Sequence, residues 1–75
     1  MKTIQEIKNR LLELNFIKVD NNIYDNYNNK LSVNIINKDE FIINFNNEDC
    51  LLEEQRQWYN QDDLYELFSS ISKEG

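Results

Sequence analysis

The period of apolar and polar positions changes twice along this chain. Over residues 3–14, Ile4, Ile7, Leu11 and Leu14 recur at i, i+3, i+7 and i+10, the spacing of one buried helix face. Leu12 widens that face. Lys2, Gln5, Glu6, Asn9, Arg10 and Glu13 fall mostly on the other side. Thr3 and Glu6 make the T-x-x-E pair of a capping box. Asn15 stands where a helix end takes left-handed backbone, for which Asn is the best residue after Gly.

From residue 16 the pattern becomes extended but ragged. Ile17, Val19 and Ile23 share parity, and Asp20, Asn21 and Asn22 interrupt them. The spacing predicts a strand over 16–19, an Asn-rich turn and a second extended piece near 23–26, with one long bent strand as the alternative. Asn28, Asn29 and Lys30 form the next turn. Clean alternation follows over 31–36, with Leu31, Val33 and Ile35 inward and Ser32 and Asn34 outward. Residues 37–40 are a polar turn of hairpin length. The return strand, 41–45, puts Phe41, Ile43 and Phe45 on one face and Ile42 and Asn44 on the other. So apolar a run is expected to be central or covered.

Helical spacing returns in the last thirty residues. Leu51, Leu52, Gln55, Trp58 and Tyr59 fit a helical stripe filled with Glu, Gln and Arg; an edge strand over 51–59 is the alternative. Asn60 caps a final helix, with Asp62 and Asp63 in its first turn and Leu64, Leu67, Phe68 and Ile71 on its buried face. The predicted class is α+β, one domain over residues 1–75: an N-terminal helix, a three- to four-stranded antiparallel meander, and one or two C-terminal helices.

Composition narrows the chemistry. The chain has 75 residues, one Cys, one Gly, and no His or Pro. Without His, neither Ser-His-Asp nor Cys-His nucleophile systems can be built within it. One terminal Gly rules out a glycine-rich phosphate loop. Cys50 has no intrachain partner and reads as a small core residue. Carboxylates occur without the D-x-D-x-D-G spacing of a calcium loop. No catalytic, cofactor-binding or metal-binding residue is therefore assigned, and the protein is expected not to be an enzyme. Thirteen Asn and nine Ile are consistent with A/T-rich codons. Charges at Lys2, Glu6, Lys8, Arg10 and Glu13 interrupt any signal-peptide core, and no apolar run reaches membrane-spanning length. The expectation is a cytoplasmic protein with no membrane contact.

Charge is unevenly divided. Residues 1–38 hold six Lys or Arg and four Asp or Glu, net +2, whereas residues 39–75 hold two and ten, net −8. The acids come in doublets: Asp39-Glu40, Glu48-Asp49, Glu53-Glu54 and Asp62-Asp63, with Glu66 following. A solvated face explains this simply. A surface for a basic partner explains it functionally, because carboxylates spaced several Å apart resemble nucleic-acid phosphates. By the same argument direct nucleic-acid binding is disfavoured. Trp58, Tyr59 and Tyr65 sit inside the acidic half, where aromatics serve as core residues or as interface anchors. Tyr24 and Tyr27 are lesser anchor candidates.

Two segments carry a resemblance: Ile4-Gln5-Glu6-Ile7-Lys8-Asn9, and Trp58-Tyr59-Asn60-Gln61-Asp62-Asp63-Leu64-Tyr65. With these, the chain is similar in kind to the small acidic proteins that phages of AT-rich bacteria make against host defence, the anti-CRISPR inhibitors of type II effectors. The resemblance implies a short N-terminal helix, a three-stranded antiparallel sheet and acidic C-terminal helices. It also implies a non-enzymatic inhibitor acting in the bacterial host cytoplasm. Its partner is then a basic nucleic-acid-binding protein, such as a CRISPR effector nuclease, met by Glu53, Glu54, Trp58, Tyr59, Asp62, Asp63 and Glu66. The alternative is a small binding or assembly module, antitoxin- or immunity-type, acting through an apolar sheet or helix face. A monomer or weak dimer is expected.

Overall fold

Thr3 opens α1 (Ile4–Glu13) with a complete capping box. Its hydroxyl accepts the Glu6 N–H at 3.2 Å, and the Glu6 carboxylate accepts the Thr3 N–H at 3.3 Å. At the other end Asn15 takes φ 69°. The Asn15 N–H donates to the Leu12 carbonyl at 3.1 Å and the Phe16 N–H to the Leu11 carbonyl at 3.0 Å. These are the two bonds of a Schellman cap. The computed structural model describes residues 2–45 and 56–74. Within α1, Ile7 and Leu11 are fully buried, but Leu12 is 52% exposed. It does not widen the buried face, because one residue's rotation of about 100° carries it off the Leu11 stripe. Ile4, in the first turn, is also exposed.

After α1 the chain runs through β1 (Ile17–Asp20), β2 (Ile23–Asn26), β3 (Leu31–Asn37), β4 (Glu40–Phe45), β5 (Arg56–Tyr59) and α2 (Gln61–Glu74). The strands form one antiparallel meander in the order β1-β2-β3-β4-β5. The α+β class stands, with five strands rather than three or four. Two separate strands, not one bent strand, occupy the ragged segment.

Residues 56–59 correct the helical reading of the 51–59 stripe. They form an edge strand in which Tyr59 pairs with Phe41 and Trp58 with Ile42. Pairing there removes the free edge of β4, the stickiest strand. Residues 51–55 lie outside the described residues, so the choice between helix and strand extends no further there. Among the described residues there is one C-terminal helix.

Both helices pack on the same side of the sheet. Tyr24, Leu31, Val33, Ile35, Phe41 and Ile43 form one buried cluster with Ile7, Leu11, Leu14, Leu64, Phe68 and Ile71. Tyr24 is thus a core residue, 2% exposed, whereas Tyr27 is 68% exposed in the β2–β3 turn. Asn26 is buried beside them and fully used. Its Nδ2 donates to the Leu14 carbonyl at 3.1 Å, and its Oδ1 accepts the Asn29 N–H at 3.0 Å. The same turn holds Lys30 at φ 55°, because no glycine is available to take the left-handed position.

The opposite side of the sheet carries no described helix. Two rows cross it by register, Asp20, Ile23, Asn34, Ile42 and Trp58, then Ile17, Asp25, Ser32, Asn44 and Arg56, and Ile42 at the centre is buried, 4% exposed. Register shifts between Lys18 and Asp20 and between Ile35 and Asn37 leave Val19 and Ile36 exposed.

Candidate functional site

The N-terminus of α2 is built by Asn60. Its Oδ1 accepts the Asp63 N–H at 2.8 Å, and its carbonyl accepts the Leu64 N–H at 3.0 Å. The predicted cap is therefore present. Gln61, which the sequence did not single out, is 7% exposed and fixes the helix in place. Its backbone N–H donates to Asp39 Oδ1 at 2.9 Å, while its side chain bonds Lys2 and the Lys38 carbonyl. An Asp at a helix N-terminus also meets the positive end of the dipole. The helix start is thus pinned to the β3–β4 turn and to the beginning of the chain.

From that frame the helix periodicity sorts its side chains. Leu64, Phe68 and Ile71 are buried, and Leu67 is half-buried against the core. Phe68 meets Phe16 edge-on at 6.4 Å and Tyr65 at 5.1 Å between ring centroids. Asp62, Asp63 and Glu66 are exposed. Asp62 and Asp63 lie at i,i+4 and i,i+3 from Glu66, each with its Cβ about 5–6 Å from that of Glu66, while about 100° of rotation separates Asp62 from Asp63. Among the described residues the ion pairs are Lys2–Glu6 and Arg10–Glu13, both within α1. The three α2 acids have no cation of their own there.

Between α2 and the edge strand β5 runs a groove of about 420 Å³, lined by Gln57, Trp58, Tyr59, Asp63, Glu66 and Leu67. Four of these are residues that the sequence proposed for partner binding. Tyr59 is half-buried in it. Burial, with the Asp63 carboxylate adding to it, pushes its phenol above the ordinary tyrosine range. It therefore stays a neutral hydrogen-bonding group at neutral pH. Trp58, 63% exposed, borders the groove from β5. By register it shares the row of Ile42 on the side of the sheet opposite the helices. Asp62 lies outside the groove on the same helix. Tyr65 faces the other way, across α1, in a cleft with Lys2, Glu6, Asn9, Arg10 and Glu13. Burial and the nearby Glu6 carboxylate raise its phenol as well.

Such an arrangement accepts hydrogen bonds and attracts cations. Asp39 joins it through Gln61, an acid that sequence reasoning counted in the charge but did not place. Glu53 and Glu54 lie outside the described residues. No helix of the described residues is long and apolar enough to cross a membrane. Comparison with family models, with curated proteins and with solved structures returns no significant match.

Proposed function

We propose that this chain is a non-enzymatic inhibitor, similar in kind to the phage anti-CRISPR proteins, acting in a bacterial host cytoplasm. It covers a basic, nucleic-acid-binding surface of a host protein with the outer face of α2. The observation that carries this reading is the trio Asp62, Asp63 and Glu66: exposed, in the first two turns of a pinned helix, and without an ion-pair partner among the described residues. Carboxylates held this way are already organised for a cationic groove, so little ordering cost opposes binding. Their field steers association and competes with phosphates for the same Lys and Arg side chains. Tyr59 and Trp58, bordering the adjoining groove, supply apolar contact with a polar edge.

The test uses a guide-loaded type II CRISPR effector nuclease and labelled target DNA. The wild-type chain is expected to displace DNA at low salt and to lose affinity steeply as salt rises. The folded triple variant Asp62→Asn, Asp63→Asn, Glu66→Gln is expected to bind at least about tenfold more weakly. A neutralised variant that stays folded and inhibits as well as wild type makes these acids a solvated face. A wild-type chain that leaves DNA binding untouched removes type II effectors as the target.

A further inference from the structure

β5 is an edge strand, and its free side adjoins the groove beside α2. The strand order β1-β2-β3-β4-β5 leaves two edges. β1 is interrupted by the register shift between Lys18 and Asp20, one of the devices that blunt an edge. β5 pairs with β4 without a shift, and Arg56, Gln57 and Trp58 are exposed. The parity of the sheet fixes which of its backbone groups are free. The Ile35 N–H donates to the Asn22 carbonyl at 2.8 Å, so Ile35, and with it Val33, turns its backbone groups toward β2. In an antiparallel ladder these directions alternate residue by residue. Asn34 and Ser32 therefore bond Ile42 and Asn44, while Phe41 and Ile43 bond Tyr59 and Gln57. The N–H and C=O groups of Trp58 and Arg56 are left pointing outward, and no described strand takes them.

We infer that this edge takes an extended, basic segment of the partner protein as an added strand, antiparallel to β5. The inference deepens the reading proposed above and rests on it for the partner's charge. Strand addition draws affinity from main-chain bonds and specificity from alternate side chains. Residues of the added strand opposite Trp58 and Arg56 exchange the backbone bonds and put their side chains on the Trp58 side of the sheet. Residues opposite Gln57 and Tyr59 put theirs on the helix side, in the groove of about 420 Å³ that Asp63 and Glu66 line. Asp63 stands near enough to Tyr59 to act on its phenol. Alternate residues of a strand lie about 6.6–6.8 Å apart, against about 5–6 Å between the Cβ atoms of Asp63 and Glu66. Two long basic side chains at i and i+2 thus reach one carboxylate each. Neither carboxylate has an ion-pair partner among the described residues. The residue between them lies beside the exposed Trp58, which suits an apolar side chain. The pattern recognised is basic, apolar, basic in extended backbone.

The test uses a labelled seven-residue peptide of alternating Lys and Val, with Lys at both ends, followed by fluorescence polarisation. Wild type is expected to bind it, with hydrogen exchange slowed at the Trp58 and Arg56 amides. N-methylation of the valines removes the donors that face Trp58 and Arg56, and is expected to weaken binding at least about tenfold. N-methylation of the lysines removes only donors that point away from β5, and is expected to be tolerated. Both peptides leave the protein itself unaltered, so folding does not enter. Asp63→Asn with Glu66→Gln, shown to be folded by circular dichroism, is expected to bind the unmethylated peptide at least about tenfold more weakly. Absence of binding at millimolar peptide overturns the inference, as does an equal loss from the two methylated peptides or an unchanged affinity in the folded double variant. The two readings fail separately. A chain that displaces DNA through the α2 acids but takes no peptide keeps the inhibitor reading and loses the added strand; one that takes the peptide but leaves DNA bound does the reverse.

Discussion

Gln61 and Lys2 exchange a reciprocal pair of hydrogen bonds across 59 positions of chain. The Lys2 N–H donates to Gln61 Oε1 at 2.7 Å, and Gln61 Nε2 donates back to the Lys2 carbonyl at 3.0 Å. The second proton of Nε2 goes to the Lys38 carbonyl at 2.8 Å. A side-chain amide presents the same donor and acceptor as a peptide group, so Gln61 joins three segments as a piece of backbone would. Its truncation leaves peptide groups of Lys2 and Lys38 without these partners. Gln61→Ala is expected to cost about 1–3 kcal/mol in a urea melt. A loss within experimental error means that water replaces the amide at no cost and that α2 is not pinned there.

Ile43 is fully buried at the centre of β4, opposite Val33. Ile43→Ala removes apolar atoms and leaves a cavity, and is expected to cost about 2–4 kcal/mol. In a domain of this size that is a large share of total stability. Ile36, 48% exposed near the end of β3, offers the comparison: a larger loss at Ile36→Ala than at Ile43→Ala contradicts this packing.

Glu6 supplies a pH dependence with a definite sign. Hydrogen bonds from the Thr3 backbone and hydroxyl, with the charge of Lys2 behind them, hold its carboxyl below the usual range. A carboxyl with a depressed folded-state pKa contributes stability that is present above its unfolded pKa of about 4.3 and is lost as pH falls through the folded value. Melting temperatures should therefore fall below that pH in wild type and fall less steeply in Glu6→Gln. Parallel curves for the two proteins rule out the capping carboxylate as the source.

Lys30 holds left-handed backbone at φ 55°. For an L-residue that geometry costs about 1–2 kcal/mol, and glycine returns part of the gain through its freer unfolded chain. Lys30→Gly is expected to stabilise the domain by about 0.5–1 kcal/mol. A destabilised variant shows that the Lys30 side chain makes a contribution larger than the strain it imposes.

Legibility in the sequence followed the physics of each element. The α1 cap, the Asn15 turn, β3, β4 and the Asn60 cap were readable because each rests on a local pattern. β5 was harder. All of Arg56, Gln57 and Trp58 are exposed, so an edge strand shows no alternation, while Trp58 and Tyr59 continue a helical stripe begun by Leu51 and Leu52. Leu12 looked buried because it adjoins Leu11, and adjacency along a helix is not a shared face. Asn26 was invisible because its burial depends on the Leu14 carbonyl, a partner twelve residues away. The acids of α2 were read as solvent-facing, and the groove that brings Trp58 beside Asp63 and Glu66 depends on a strand pairing that no local pattern shows.

The meander has a kinetic consequence. Each strand pairs with its neighbour in sequence, so the described sheet is assembled largely from short loop closures, which favours rapid folding. The bond between Gln61 and Lys2 closes a loop of 59 positions and gains nothing until the sheet beneath it exists. These loop lengths favour a hairpin ladder first and the seating of α2 last. The surface that carries the acids is thus completed by the longest-range hydrogen bonds described, those between Gln61 and Lys2.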